Sequence, residues 1–332
     1  MSELQSAKKT VRNFHEALDN ASVDGIEDVI KNRVATDFVW RGVHPFGELH
    51  DAKTVAENFW IPLRRSLSCL QRRDDIFFAG HNEMDGGNSV WVIAMGHLLG
   101  LFDEPFLGIN PTGKLVMMRY CTFNRIADEK ISETCMHVDI PQLMIQAGNN
   151  PFPPPTGAHL VQPGPFTHDG LLFEPQPPAE GEATLAAINS MISNLGQWQS
   201  GLPLEEELAL DWHDDMYWWG PVGIGATYTI ERYAKQHAGP FRAGFKDRTK
   251  TNHICRTAEG HYGGFFGWSN FTAEPSGGFM GMEATGKPGE FRVIDIYRRD
   301  GDKLAENWVF IDLLHFWKQQ GIDVLAQGEA LV

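Results

Sequence analysis

Cysteine is scarce in this sequence, with four residues in 332, and no two of them stand at C-x-x-C spacing. Structural zinc sites are typically built from such pairs, and disulfide frameworks are typical of short secreted chains that are dense in cysteine. The sequence therefore predicts no metal site, buried reduced thiols and a cytoplasmic location. Runs of Lys or Arg longer than pairs are also missing, and the formal charge is −15. Because nucleic acid is bound through clusters of basic residues, we expect no nucleic-acid partner.

Long apolar runs are absent as well. No stretch approaches the roughly 20 apolar residues of a membrane span, and the first 20 residues read as an amphipathic helix without the hydrophobic region of a signal peptide. We therefore expect no membrane association. No G-x-G-x-x-G fingerprint follows a strand, so the sequence offers no nucleotide site and predicts no cofactor.

Aromatic residues and proline, by contrast, are informative. Ten Trp and 21 Phe within a 42% apolar chain can build two cores and line apolar cavities. Nine of the 19 prolines fall between residues 151 and 178, which favours an extended connector because proline removes backbone donors. The sequence thus predicts a first domain over 1–149, a linker over 150–182 and a second domain over 183–332.

The two halves of the sequence align with each other. Residues 37–42 (DFVWRG) match residues 215–220 (DMYWWG), and residues 106–148 match residues 279–321. Over these last 43 positions 12 are identical without a gap, whereas random pairing would give roughly two or three. The spacing changes from 178 to 173 between the two blocks. The chain is therefore predicted to be a tandem duplication.

Each half has the same predicted order of elements. A helical region is followed by a short strand, a second helix, and three or four strands separated by turn signals. This order favours an α+β fold in which a curved, mostly antiparallel sheet wraps around its helices.

Four repeated motifs carry a resemblance to a known family. They are Trp-x-Gly (40–42, 218–220), a hairpin ending Thr-Gly-Lys (106–114, 279–287), Lys-Ile/Leu-x-Glu (130–133, 303–306), and an Asp before a helix that ends Gln-x-Gly (139–148, 312–321). With these motifs each half resembles the SnoaL-like polyketide cyclases, within the superfamily that includes nuclear transport factor two, ketosteroid isomerase and scytalone dehydratase. The resemblance implies two cone-shaped units and a small-molecule substrate. It also implies that the units pair as an intramolecular pseudo-dimer, with further homo-oligomers left open.

The same resemblance implies a catalytic carboxylate just before the final helix of each half, at Asp139 and Asp312. Strand alternation gives independent support, because Trp308 and Phe310 would share a face with Asp312 and burial beside them would raise the pKa of its carboxyl group. The alternative is that each Asp caps the helix that follows it. Both interpretations stay open at this point.

Two histidines are further catalytic candidates. His97 ends an apolar strand, and its counterpart in the other half is Asn270, so both could hydrogen-bond a substrate oxygen. A structural histidine at a strand end is the alternative. His137 stands two residues before Asp139 and could share proton transfer with it. Since Phe310 occupies the matching position, the two halves cannot perform the same chemistry equally well.

These patterns lead to one functional hypothesis. The chain would be a cofactor-independent acid/base enzyme, a cyclase, isomerase or lyase, acting on a small, apolar, oxygenated, polyketide-like substrate. The alternatives are a small-molecule-binding module without turnover, and a hydrolase in which the same Asp activates water. The predicted substrate-binding residues are Trp40, Trp91, Trp218, Trp219, Asn270, Trp308 and Phe310.

Overall fold

A computed structural model of the chain describes residues 2–195 and 201–329. By its internal contacts the chain divides into two compact units. The first unit contains residues 1–151, 166–175 and 323–332, and the second contains residues 152–165 and 176–322. The proline-rich segment is thus shared between the units. Residues 196–200 and 330–332 of the predicted second domain lie outside the described residues.

The first unit contains a six-stranded sheet in the order β2-β1-β6-β5-β4-β3. Its strands are β1 (Val34–Gly42), β2 (Gly47–Leu49), β3 (Leu67–His81), β4 (Val90–Phe102), β5 (Leu115–Ala127) and β6 (Lys130–Val138). Its helices are α1 (Glu3–Asn20), α2 (Ile26–Arg33), α3 (Ala52–Val55), α4 (Ile61–Ser66) and α5 (Ile140–Gln146). Strands β1 and β6 pair in parallel, and the other neighbours are antiparallel.

The second unit repeats this arrangement with a sheet in the order β8-β7-β13-β12-β11-β10, to which β9 adds by pairing with β11. Its strands are β7 (Trp212–Trp219), β8 (Ala226–Tyr228), β9 (Phe245–Lys246), β10 (Cys255–Glu259), β11 (Tyr262–Pro275), β12 (Gly289–Asp300) and β13 (Lys303–Ile311). Its helices are α6 (Pro178–Leu195), α7 (Leu204–Leu208), α8 (Ile230–Tyr233), α9 (Gly239–Gly244) and α10 (Leu313–Gln319). Helix α11 (Val324–Glu329) comes next in the chain and belongs to the first unit, not to the predicted second domain. The parallel pair recurs between β7 and β13. The predicted α+β class with two curved sheets is confirmed.

The repeated Trp-x-Gly motif has a packing explanation. A Cβ atom added at Gly42 would lie 2.1 Å from the indole ring of Trp40, and one added at Gly220 would lie 2.1 Å from that of Trp218. Each indole therefore folds back over its own strand at a place where only glycine leaves room. This contact directs both tryptophans towards the interior of their units.

The repeated Gln of the last motif also has a structural role. The Gln146 amide donates to the Met117 carbonyl and accepts from the Met117 N–H (2.7 and 2.9 Å). Gln319 makes the same pair of bonds with Glu290 (3.1 and 2.9 Å). In each unit the final helix is thereby joined to the start of a long strand, whose backbone groups would otherwise lack partners at that point.

Candidate active site

A cavity of about 170 Å³ lies between the sheet of the second unit and its helices. Strands β12 and β13 form its floor, α6 lines one side, and the region from α8 to α9 lines the other. Its walls are mainly aromatic. The ring-bearing residues among its lining are Trp212, Trp218, Tyr233, His237, Phe241, His253, Phe265, Phe271, Phe291 and Tyr297.

Asp295 is the carboxylate in this cavity. It lies in the middle of β12, is buried, and accepts a hydrogen bond from the Asn307 amide at 3.1 Å. Burial raises the pKa of Asp295 to about 7, although hydrogen bonds from Asn307 and Tyr297 oppose the shift. A carboxyl group with this pKa exists in both protonation states near neutral pH, as an acid/base group requires.

Two buried tyrosines surround this carboxyl group. Burial, followed by the negative charge of Asp295, raises the pKa of Tyr233 and of Tyr297 above the ordinary value of 10. Both hydroxyls are therefore neutral donors at physiological pH. Tyr297 is hydrogen-bonded to Asp295 itself. Because Tyr297 and Asn307 are paired across β12 and β13, the two donors to Asp295 are neighbours.

Two histidines complete the polar lining. Burial lowers the pKa of His237 to about 3. Burial, followed by the positive charges of Arg256 and Arg248, lowers that of His253 to about 3 as well. Both imidazoles are thus neutral. The Arg256 guanidinium donates to Nδ1 of His253 at 3.2 Å, so the single imidazole proton of His253 resides on Nε2.

The buried polar atoms of the cavity lining include two ring nitrogens, Nε1 of Trp212 and Nδ1 of His237, that lack a hydrogen-bond partner within the described residues. Their side chains are 2% and 8% exposed. The His237 ring stacks on Trp218 with centroids 4.0 Å apart. Since a buried polar atom without a partner is costly, these atoms indicate that a ligand or water completes the site.

The predicted catalytic residues Asp139 and Asp312 do not line this cavity. Asp139 accepts from the Gln142 N–H at 3.2 Å, and Asp312 accepts from the His315 N–H at 3.1 Å, so each caps the helix that follows it. Arg119 lies 3.5 Å from Asp139, and its counterpart Arg292 lies 3.7 Å from Asp312. The capping alternative is therefore the one that the structure shows, in both units alike.

The sequence also predicted that Trp308 and Phe310 on the last strand, β13, face the substrate, and the structure corrects this prediction. Asn307, Val309 and Ile311 line the cavity, so the intervening residues point to the opposite face of the sheet. There the Trp308 indole N–H donates to the Pro163 carbonyl at 2.9 Å, and Phe310 is buried. Neither Trp308 nor Phe310 lines the cavity, contrary to the predicted role in substrate binding.

The histidine candidates belong to the first unit and do not line this cavity. Nδ1 of His97 is 3.0 Å from the Asp75 carboxylate, and His137 is buried on β6 opposite Cys121. His97 and its predicted counterpart also differ in setting. Asn270 lies where the pairing of β11 with β12 shifts register, and it lines the cavity, whereas His97 pairs regularly with Arg119 across β4 and β5.

The predicted substrate-binding tryptophans have different locations. Trp218 lines the cavity, so its predicted role in substrate binding stays a prediction. Trp40 packs against Phe46 and Phe59 within the first unit, and the Trp91 indole N–H donates to Ser89 at 2.9 Å. Trp219 stacks on Tyr217 and does not line the cavity.

The first unit replaces the polar residues of the cavity floor with a hydrogen-bonded cluster. At the spacing of 173, Thr122, Asn124 and Thr134 correspond to Asp295, Tyr297 and Asn307. The Thr134 hydroxyl donates to Asn124 at 2.9 Å, and the Asn124 amide donates to Thr122 at 3.1 Å. These three buried side chains satisfy one another and offer no carboxylate.

The sequence did not predict five of the polar residues at this site. They are Asp295, Tyr233, Tyr297, His237 and Asn307. The sequence does contain a signal for Asp295, because this acid interrupts the apolar run Val293-Ile-Asp-Ile-Tyr297. In a strand, Tyr297 would lie on the same face as Asp295. A lone acid at an inward position of a buried strand is a stronger sign of a perturbed carboxylate than an Asp at a helix start.

Comparisons with known proteins agree with the predicted resemblance. Residues 267–320 match the model of the SnoaL-like polyketide cyclase family. No curated protein matches the chain. No helix among the described residues is long and apolar enough to span a bilayer.

Solved structures with similar folds each correspond to part of this chain. A protein from Jannaschia sp. CCS1 assigned to the SnoaL-like polyketide cyclases is 24% identical, with 46% of this chain and 98% of that chain covered and a TM-score of 0.35. An NTF2-like protein from Burkholderia thailandensis E264 is 18% identical, with 43% and 97% covered and a TM-score of 0.31. The family that the sequence motifs resemble, the SnoaL-like polyketide cyclases, is thus the family whose model the second unit matches.

Proposed function

We propose that the second unit is a cofactor-independent acid/base enzyme and that Asp295 is its catalytic residue. The observation that carries the proposal is a buried carboxyl group with a pKa of about 7 on the floor of an aromatic cavity. The proposal keeps the reaction class predicted from the sequence and assigns the catalytic role to Asp295 instead of Asp312. The match to a polyketide cyclase family supports a cyclase, and an isomerase or a lyase would use the same proton transfer.

In the proposed reaction, ionised Asp295 removes a proton from a carbon next to a substrate carbonyl. The aromatic walls exclude water, which strengthens electrostatic interactions inside the cavity. The Asn307 amide donates to one carboxyl oxygen of Asp295 and thereby fixes its orientation. Protonated Asp295 then returns the proton to another atom of the substrate, which completes an isomerisation or follows the new bond of a ring closure.

Neutral donors would stabilise the enolate oxygen that forms when the proton leaves. The Tyr233 hydroxyl and the Trp212 indole N–H both line the cavity, and the indole nitrogen has no partner among the described residues. Neither group needs to change its protonation state to donate. Such preorganised donors are typical of sites that stabilise a developing oxyanion.

The test is proton exchange, which requires no knowledge of the natural substrate. Small cyclic ketones and β-diketones would be incubated with the full chain in D₂O, and incorporation of deuterium next to the carbonyl followed by NMR. We expect catalysed exchange with wild-type protein and at least a 100-fold loss with Asp295→Asn, a loss within the usual range for removing a general base.

The matched control is Asp312→Asn, which retains a side chain able to cap α10 and should exchange at the wild-type rate. Equal exchange by Asp295→Asn and wild type would refute the assignment of Asp295. A compound that binds in the cavity and shows no exchange would instead favour the binding module without turnover.

A further inference from the structure

Two guanidinium groups line the otherwise largely aromatic cavity. Arg242 projects from α9, and Arg248 belongs to the segment between β9 and β10. Glu207 accepts two hydrogen bonds from Arg242 and is 1% exposed. Arg248 lies over the ring of Phe271, with the guanidinium carbon 4.5 Å from the ring centroid. The end of the cavity near Phe271 is therefore cationic.

The two cations disfavour each other. Burial, followed by the positive charge of Arg242, lowers the pKa of Arg248. The neutral state of His253, which also lines the cavity, adds no further positive charge there. Because like charges close together in a poorly solvated site are costly, an anion bound beside Arg248 would relieve their repulsion.

The cationic end and the acid/base end are separated along the sheet. Phe271 pairs with Phe291 across β11 and β12, and Asp295 stands four residues further along β12. At a rise of about 3.4 Å per residue, these two positions on β12 are about 14 Å apart. A ligand that reaches both ends carries its anionic group at one end and its reacting carbon at the other.

We propose that the ligand of this cavity is a small carboxylic acid with one ring, whose carboxylate binds Arg248 and whose opposite end meets Asp295. The inference rests on the proposed function for the role of Asp295, and on the two arginines for the carboxylate. The volume of about 170 Å³ compares with an engineered cavity of about 150 Å³ that holds benzene, which fits one ring and a short side chain.

The first unit supports the assignment by contrast. At the spacing of 178, Arg248 corresponds to Leu70, which is buried. The first unit therefore lacks both the cation and the carboxylate at positions equivalent to Arg248 and Asp295. The two functional groups occur together in the same unit, as expected if one ligand requires both.

The experiment compares two probes of nearly the same shape. Binding of 3-phenylpropanoate and of 3-phenylpropanamide to the full chain would be measured by calorimetry at pH 8. We expect the carboxylate to bind wild-type protein at least tenfold more tightly than the amide. In Arg248→Gln this preference should fall below threefold, while Arg248→Lys should retain part of it.

Lys250→Gln is the control, because it removes an exposed positive charge two residues away and should leave the preference unchanged. Asp295→Asn should not lower it, because this change removes a negative charge from the cavity at pH 8 and binding of the carboxylate needs no proton transfer. Failure of proton exchange with an intact preference would therefore overturn only the proposed function. Equal affinity for both probes, no binding of either, or an unchanged preference in Arg248→Gln would overturn the present inference.

Discussion

At the scale of single residues, the environment of a carboxyl group decides what it does. Asp312 and Asp295 are both buried in the second unit. The first accepts a helix N–H and lies near Arg292, so its charge is used for capping. The second faces aromatic rings and two neutral donors, so its proton remains exchangeable near neutral pH.

This difference predicts how stability depends on pH. The folded-state pKa of Asp295 is raised from 3.8 to about 7, so the folded protein holds this proton more tightly than the unfolded chain. Its contribution to stability is complete below pH 3.8 and is lost as pH rises to about 7. The Asp295→Asn variant has no carboxyl group here and should not lose this stability as pH rises. The difference in free energy of unfolding, variant minus wild type, should therefore increase by up to about 4 kcal/mol between pH 4 and 7.5. Urea unfolding of both proteins across this range measures the effect, and parallel pH profiles would contradict it.

At the scale of elements, the residues that the two halves share are the ones that hold the fold. Asp139 and Asp312 cap equivalent helices, Arg119 and Arg292 lie beside them, and the repeated Gln residues join those helices to strands. Element order and the duplicated architecture could be predicted from the sequence because these contacts are local and repeated. The face of β13 could not, because a shift of one residue exchanges the two faces and both are apolar.

The caps give a prediction at this scale. Asp312→Ala removes the acceptor for the His315 N–H and the contact with Arg292, and should lower the free energy of unfolding by about 1–2 kcal/mol. Asp312→Asn should cost less, because Asn is also a favourable N-cap. Chemical unfolding measures both, and proton exchange should stay at the wild-type rate in each. A loss of exchange without a loss of stability would return the catalytic role to Asp312.

At the scale of the whole molecule, the two units have the same strand order and different interiors. Thr122, Asn124 and Thr134 occupy in the first unit the positions of Asp295, Tyr297 and Asn307 in the second. The three side chains of the first unit hydrogen-bond to one another, whereas in the second unit the carboxyl group of Asp295 lines a cavity. Positions that differ between the copies therefore indicate the candidate site better than the conspicuous motifs that recur in both.

This division predicts that turnover belongs to the second unit alone. Thr122→Val removes the hydroxyl that accepts from Asn124 and should destabilise the protein by about 1 kcal/mol, the usual value for one buried hydrogen bond, while proton exchange continues at the wild-type rate. The equivalent change in the other copy, Asp295→Val, should abolish exchange. Measuring unfolding and exchange on both variants separates the two roles, since a merely structural Asp295 would give the same pattern as Thr122. Loss of exchange in Thr122→Val would show that the first unit takes part in the reaction.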